Sequence, residues 1–198
     1  MDMTDVRARY RRGNRLLFTR ESPCLQELLV CMRQESRRTL VCWALTSAEQ
    51  PVELLASRYP EDNRPREALM LSRLWSDGAV KMPLARKTIL QVHAMARDAR
   101  TPADDALCHA VGQGCSAVHA EDHAIGLALY ELTAIVREQG LDSCEAAVEA
   151  RIVEYTACLA DSRIAAEAPD RSWAGFLMKA GGPNRELRRY DKLSSTRR

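Results

Sequence analysis

Aromatic residues are scarce in this chain, with 2 Phe, 5 Tyr and 3 Trp among 198 residues. Val and Ile together number 16, against 28 Ala. Strands favour β-branched and aromatic side chains, whereas Ala loses no side-chain entropy in a helix. A sheet therefore has little to be built from. No stretch approaches the ~20 apolar residues that a membrane-spanning helix needs. The longest early apolar run, Leu16-Leu17-Phe18, is too short for the core of a secretion signal, and no small-residue cleavage site follows the Arg-rich stretch before it. The expected location is the cytosol. Cysteines number seven, an odd count that forbids complete internal pairing, and no Cys-x-x-Cys is present. Cys24/Cys31 and Cys108/Cys115 are each seven residues apart, about two helical turns. They read as small apolar residues on buried helix faces rather than as redox or metal pairs.

What is present suffices for one sizeable core: 46% of residues are hydrophobic and 28% are charged. The net charge of +2 conceals a division along the chain. Residues 1–38 carry 9 basic and 5 acidic side chains, and residues 171–198 carry 8 and 2. The remaining 12 basic and 20 acidic side chains give residues 39–170 a balance of −8. The chain thus reads as a basic N-terminal arm (1–21), a helical domain (22–168) and a basic C-terminal tail (169–198). Arg7, Arg9, Arg11, Arg12, Arg15 and Arg20 could grip phosphate, but no nucleic-acid motif follows them, and a terminal arm of this kind is expected to be solvated or loosely ordered. The stretch from Gly181-Gly182-Pro183 onward reads as a linker and a polar end.

Helix boundaries are marked by their end signals. Ser22-Pro23 suggests an N-cap with Pro in the first turn, opening a helix to about Glu35. A second helical stretch covers roughly residues 39–59, and Pro51 either kinks it or begins a new helix after Ser47. Asp62 or Asn63 is a cap for a helix ending near Ser76, which Gly78 stops. Pro83 opens another, with Ala85, Ile89, Val92, Ala96 and Ala99 on one face. Thr101-Pro102-Ala103-Asp104 comes close to a capping box. The following apolar positions, Ala103, Ala106, Leu107, Ala110, Val111, Gly114, Ala117 and Val118, fit a helical period and no strand. A further helix carries Ile125, Ala128, Leu129, Leu132, Ile135 and Val136 to Gly140, and the last long one runs from the Asp142–Glu145 region to about Ala166. The expected fold is all-α, a single compact array of about six to eight helices with short loops.

Candidate chemistry centres on four histidines. His119 and His123 are spaced i, i+4, which on one helix face would suit a metal, with His93 as a third ligand. The sequence His119-Ala120-Glu121-Asp122-His123 lacks the His-Glu-x-x-His order of a zinc protease. Gly112-Gln113-Gly114 lies inside an amphipathic helix and reads as a close-packing point rather than a phosphate loop. Trp43 and Trp75 sit in apolar helical patterns and read as core; Trp173 is a candidate partner anchor.

Taken together, Pro60-Glu61-Asp62-Asn63-Arg64-Pro65-Arg66 with Ala68, Trp75 and Gly78, then Ala85-Arg86, His93 and Ala96-Arg97, then Ala110-Val111-Gly112, His119, His123-Ala124 and Tyr130 form an ordered pattern. Over roughly residues 40–135 this pattern resembles the immunity proteins of bacterial polymorphic toxin systems, specifically the immunity-five-like helical domain. The resemblance implies a cytosolic, non-enzymatic antidote, without a cofactor, that binds and neutralises a cognate toxin. The polar positions that match are Asp62, Arg64, Arg66, His93, Arg97, His119 and His123. Asp62 can cap a helix, Arg64 or Arg66 can pair across a helix junction, and His93 and Arg97 share a face at i, i+4. Together they could line one polar pocket, either a buried network or a ligand site. The acidic central body suits a basic toxin such as a nuclease. The alternative is a metal-dependent helical enzyme using His93, His119 and His123.

Overall fold

Residues 1–179 and 182–196 are described by the computed structural model, and among them no strand occurs. The helices are α1 (Thr4–Arg11), α2 (Gln26–Arg33), α3 (Arg37–Ser47), α4 (Glu49–Arg58), α5 (Arg64–Ser76), α6 (Met82–Met95), α7 (Pro102–Ser116), α8 (His123–Gln139), α9 (Glu145–Ala166), α10 (Gly175–Met178) and α11 (Arg185–Thr196). Short 3-10 turns at Pro23–Leu25 and Ala96–Asp98 precede α2 and follow α6. The all-helical expectation is met, but the helices outnumber the six to eight expected. Much of the excess lies in the terminal segments, where α1 and α11 form from polar sequence and α10 is a single four-residue turn.

End signals explain most boundaries. Thr101 Oγ1 accepts the Asp104 N–H at 3.0 Å, and Pro102 occupies the first turn of α7, as its sequence implies. Gly78 (φ +83) and Gly140 (φ +80) supply the left-handed residues that end α5 and α8. Pro51 lies within the first turn of α4, so the second helical stretch is divided at Ala48. Ser22 departs from expectation. Its side chain makes no cap bond; Ser22 Oγ instead donates to Asp5 Oδ2 (2.5 Å), and the chain turns through a 3-10 segment before α2 begins.

Helix α7 is the centre of the molecule. It packs most extensively on α8 and is flanked by α4, α5 and α6, while α3 and α9 pack together beside α8. All eight positions of the predicted stripe, six in α7 and two in the turn that follows it, are buried, as are Asp104, Cys108, Gly112 and Cys115 on other sides of the helix. A helix buried nearly all round needs small side chains if its neighbours are to approach closely, which accounts for its Ala, Gly and Cys content. Gly114 illustrates the constraint, since a Cβ there would lie under 3.0 Å from Leu127 and 3.1 Å from the Ala44 carbonyl oxygen.

The N-terminal segment is not a solvated arm. Met3, Val6, Leu17 and Phe18 are buried and join the main core. The C-terminal segment also docks. Asn184 Nδ2 donates to the carbonyls of Met32 (2.9 Å), in the last turn of α2, and of Glu35 (2.8 Å), just beyond it, satisfying groups that a helix end leaves unpaired. Its Oδ1 accepts the Leu187 N–H at the start of α11. Gly181, read as linker, lies outside the described residues.

Candidate functional site

Residues Met82, Arg86, Ile89, Leu90 and His93 recur at near-helical spacing along one side of α6 and form one wall of a cavity of about 250 Å³. Facing them are Trp75 from the end of α5, Ser116 from the last turn of α7, His119 from the α7–α8 turn and His123 at the start of α8. The lining contains no Asp or Glu. His119 lies nearly parallel to Trp75, with centroids 6.4 Å apart and planes 18° from each other. Trp75 is buried, as the core reading holds, yet one face borders this cavity and another meets Phe176 at 5.7 Å.

Behind the wall the histidines are hydrogen-bonded in series. Asp105 holds the Arg15 guanidinium in a two-pronged pair (3.1 and 2.6 Å). Arg15 Nη2 in turn lies 2.8 Å from His109 Nε2, and His109 Nδ1 lies 3.0 Å from His93 Nδ1. Arginine can only donate, so His109 Nε2 must accept and its proton must reside on Nδ1. His93 Nδ1 then accepts, which assigns the His93 proton to Nε2. His123 is fixed separately: its Nδ1 lies 2.7 Å from Gln113 Oε1, and an amide oxygen requires a donor there. Burial is the leading cause that depresses all three basicities. It holds His93 down to about 4, with His109 and His123 adding repulsion, and it lowers His109 and His123 as well. The rings are therefore neutral at pH 7.

Glycines make this arrangement possible. A Cβ at Gly112 would lie under 3.0 Å from the His93 ring, and one at Gly126 would collide with Gln113 Oε1. Glycine inside a helix costs roughly 1 kcal/mol relative to alanine. In α7 and α8 that cost is offset by two side chains that could not otherwise be seated. The close-packing reading of Gly112-Gln113-Gly114 is thus met, with an imidazole among the packed groups.

The seven sequence-picked residues do not form one pocket. His93, His119 and His123 line the cavity. Asp62 and Arg64 pair with each other at the start of α5 (2.9 and 2.6 Å), and Arg64 also reaches Asp98 (3.2 Å). Asp62 additionally accepts the Arg64 backbone N–H (3.1 Å), and the Arg64 guanidinium holds its carboxyl below the usual range. Arg66 pairs with Glu53 on the surface. Arg97 is exposed, makes no ion pair among the described residues, lies in the 3-10 turn after α6 and does not line the cavity with His93. His119 and His123 also do not share a helix face, because residues 117–122 form the turn between α7 and α8. Among the described residues no three His, Cys, Asp or Glu side chains converge in a geometry that could hold a metal ion. His93 and His123 are each already engaged on one nitrogen. His109 is one of the four histidines but was given no role, and Arg15 and Gln113 were missed, because they reach the site from other positions in the fold and no spacing rule links them to it.

A family model described as Imm-5 like putative immunity protein matches residues 31–158, or 128 of the 198 residues. The chain belongs to this family. No curated protein and no solved structure matches it. The Imm-5 like region takes in every cavity-lining residue, whereas Arg15, which sets the histidine tautomers, lies outside it.

Proposed function

We propose that this chain is an antidote that binds a cognate toxin in the cytosol and neutralises it by occupancy, without chemistry of its own. The Imm-5 like match over residues 31–158 carries this reading. Side-chain states support it. Burial pushes the Cys24 thiol up to about 11 and the Cys108 and Cys115 thiols up to about 12, so none of these is an activated nucleophile at pH 7. No helix among the described residues is long and apolar enough to cross a membrane.

The toxin's class is inferred from charge. The acidic balance of residues 39–170 is partly cancelled in space, because the basic ends fold back on it: Arg7 pairs with Asp142, Arg15 with Asp105, Arg38 with Glu167 and Arg185 with Asp122. Glu61, Glu67, Asp161 and Asp170 make no ion pair among the described residues and remain available to a basic partner, such as a nuclease built to hold phosphate. Stopped-flow association with the toxin is the test. The on-rate should fall at least about tenfold as salt is raised from low ionic strength, and Glu61→Lys with Glu67→Lys should slow it further. A rate indifferent to both removes the basic-partner assignment.

A further inference from the structure

Toxin binding requires a surface; it does not require the partly open, acid-free cavity beside α6. Three features of that cavity point to a ligand. Its lining is divided by chemistry, with Trp75, Ile89 and Leu90 apolar and Arg86 the cation. Arg86 makes no ion pair among the described residues, so its charge is not already balanced by a neighbour. Finally, the series Asp105–Arg15–His109–His93 fixes the His93 proton on Nε2, and that N–H makes no hydrogen bond within the described residues. A donor oriented by three residues behind it, seated only because position 112 lacks a Cβ, is the kind of support that positioned polar groups in binding sites require.

We propose that this cavity binds a small organic carboxylate carrying an apolar or aromatic body. The body lies against Trp75, Ile89 and Leu90, and the carboxylate meets Arg86 and the His93 Nε2–H. Size and charge narrow the class. At about 250 Å³ the cavity falls below the usual ~300–1,000 Å³ range of ligand pockets, which fits a single-ring acid and not a nucleotide. One guanidinium balances one negative charge, whereas a phosphate ester would bring up to two. An amine-bearing ligand would find no carboxylate in the lining. The inference stands whether or not the chain neutralises a toxin.

The test is isothermal titration of the full chain with phenylacetate and, separately, with neutral phenylacetamide. The expected result is saturable one-site binding of the acid with Kd of about 1 mM or tighter, and binding of the amide at least about tenfold weaker. Arg86 is exposed, so Arg86→Met should leave the circular dichroism unchanged while weakening the acid by about tenfold. His93→Phe should weaken it similarly. Equal affinity for acid and amide, undiminished binding by correctly folded Arg86→Met, or no binding of the acid at about 10 mM overturns the proposal.

Discussion

Gly112 and His93 are coupled by contact, and that coupling sets what a single methyl group does. At an ordinary helix-interior glycine, alanine stabilises by up to about 1 kcal/mol. Here the new Cβ would meet the His93 ring at under 3.0 Å, so Gly112→Ala should instead destabilise by about 1–3 kcal/mol. With His93→Ala already in place the same change should become neutral or favourable, and a double-mutant cycle from urea unfolding checks the reversal. The same ring makes stability depend on pH. His93 is held near 4 in the folded protein against about 6.5 when unfolded, so the unfolded state binds the proton first as pH falls. Its contribution is complete above about pH 6.5 and is lost progressively down to about 4, with His109 and His123 acting in the same direction. Between pH 7 and pH 5 the wild type should lose about 1–2 kcal/mol more stability than His93→Phe, as read from denaturant midpoints. The histidines themselves were legible in sequence as a cluster of titratable groups. The pairing of His93 with His109, and the partners Arg15 and Gln113, were not, because hydrogen bonds between distant segments leave no trace in local spacing.

Helices were legible wherever an end signal and an apolar period agreed. Thr101-Pro102 and Gly140 mark their boundaries correctly, and the apolar stripe that starts in α7 is buried at all eight positions from Ala103 to Val118. Where a helix is held mainly by polar contacts, periodicity fails. Helix α11 is the clearest case, because it is fixed through Asn184 on α2 and through the buried Glu186, which pairs with Arg20 at 3.0 Å. Helices α8 and α9 were both legible in sequence, but the buried polar set at their junction was not. Tyr155 donates to Glu131 Oε2 at 2.6 Å, Arg151 Nε lies 3.0 Å from Glu131 Oε1, and all three side chains are buried or nearly so. Desolvation raises the Glu131 pKa even beside this arginine. Truncating one member strands the others in the interior. Glu131→Ala should therefore cost about 3–5 kcal/mol, whereas Glu53→Ala, which breaks the exposed pair with Arg66, should leave stability close to that of the wild type. Thermal unfolding of the two variants side by side decides this; similar losses in both would contradict the assignment.

At the scale of the whole molecule, sequence and space divide charge differently. The basic ends and the acidic middle are separate along the chain, but ion pairs such as Arg7–Asp142, Arg15–Asp105 and Arg38–Glu167 bring them together. The N-terminal segment also contributes Leu17 and Phe18 to the core and Arg15 to the histidine series, so its basic composition is partly structural. Removal of that segment should then disturb the cavity as well as the charge. Membership of the Imm-5 like family fixes a class of protein, and the proposed antidote action makes a statement about stoichiometry: a binder is consumed, whereas an enzyme is not. Titrating the chain into a fixed amount of the toxin whose poisoning it relieves, and reading residual toxin activity, tests this most directly. A linear fall with a break at one equivalent and a stable one-to-one complex is the expected result. Full protection at a small fraction of an equivalent, with no complex, would contradict it.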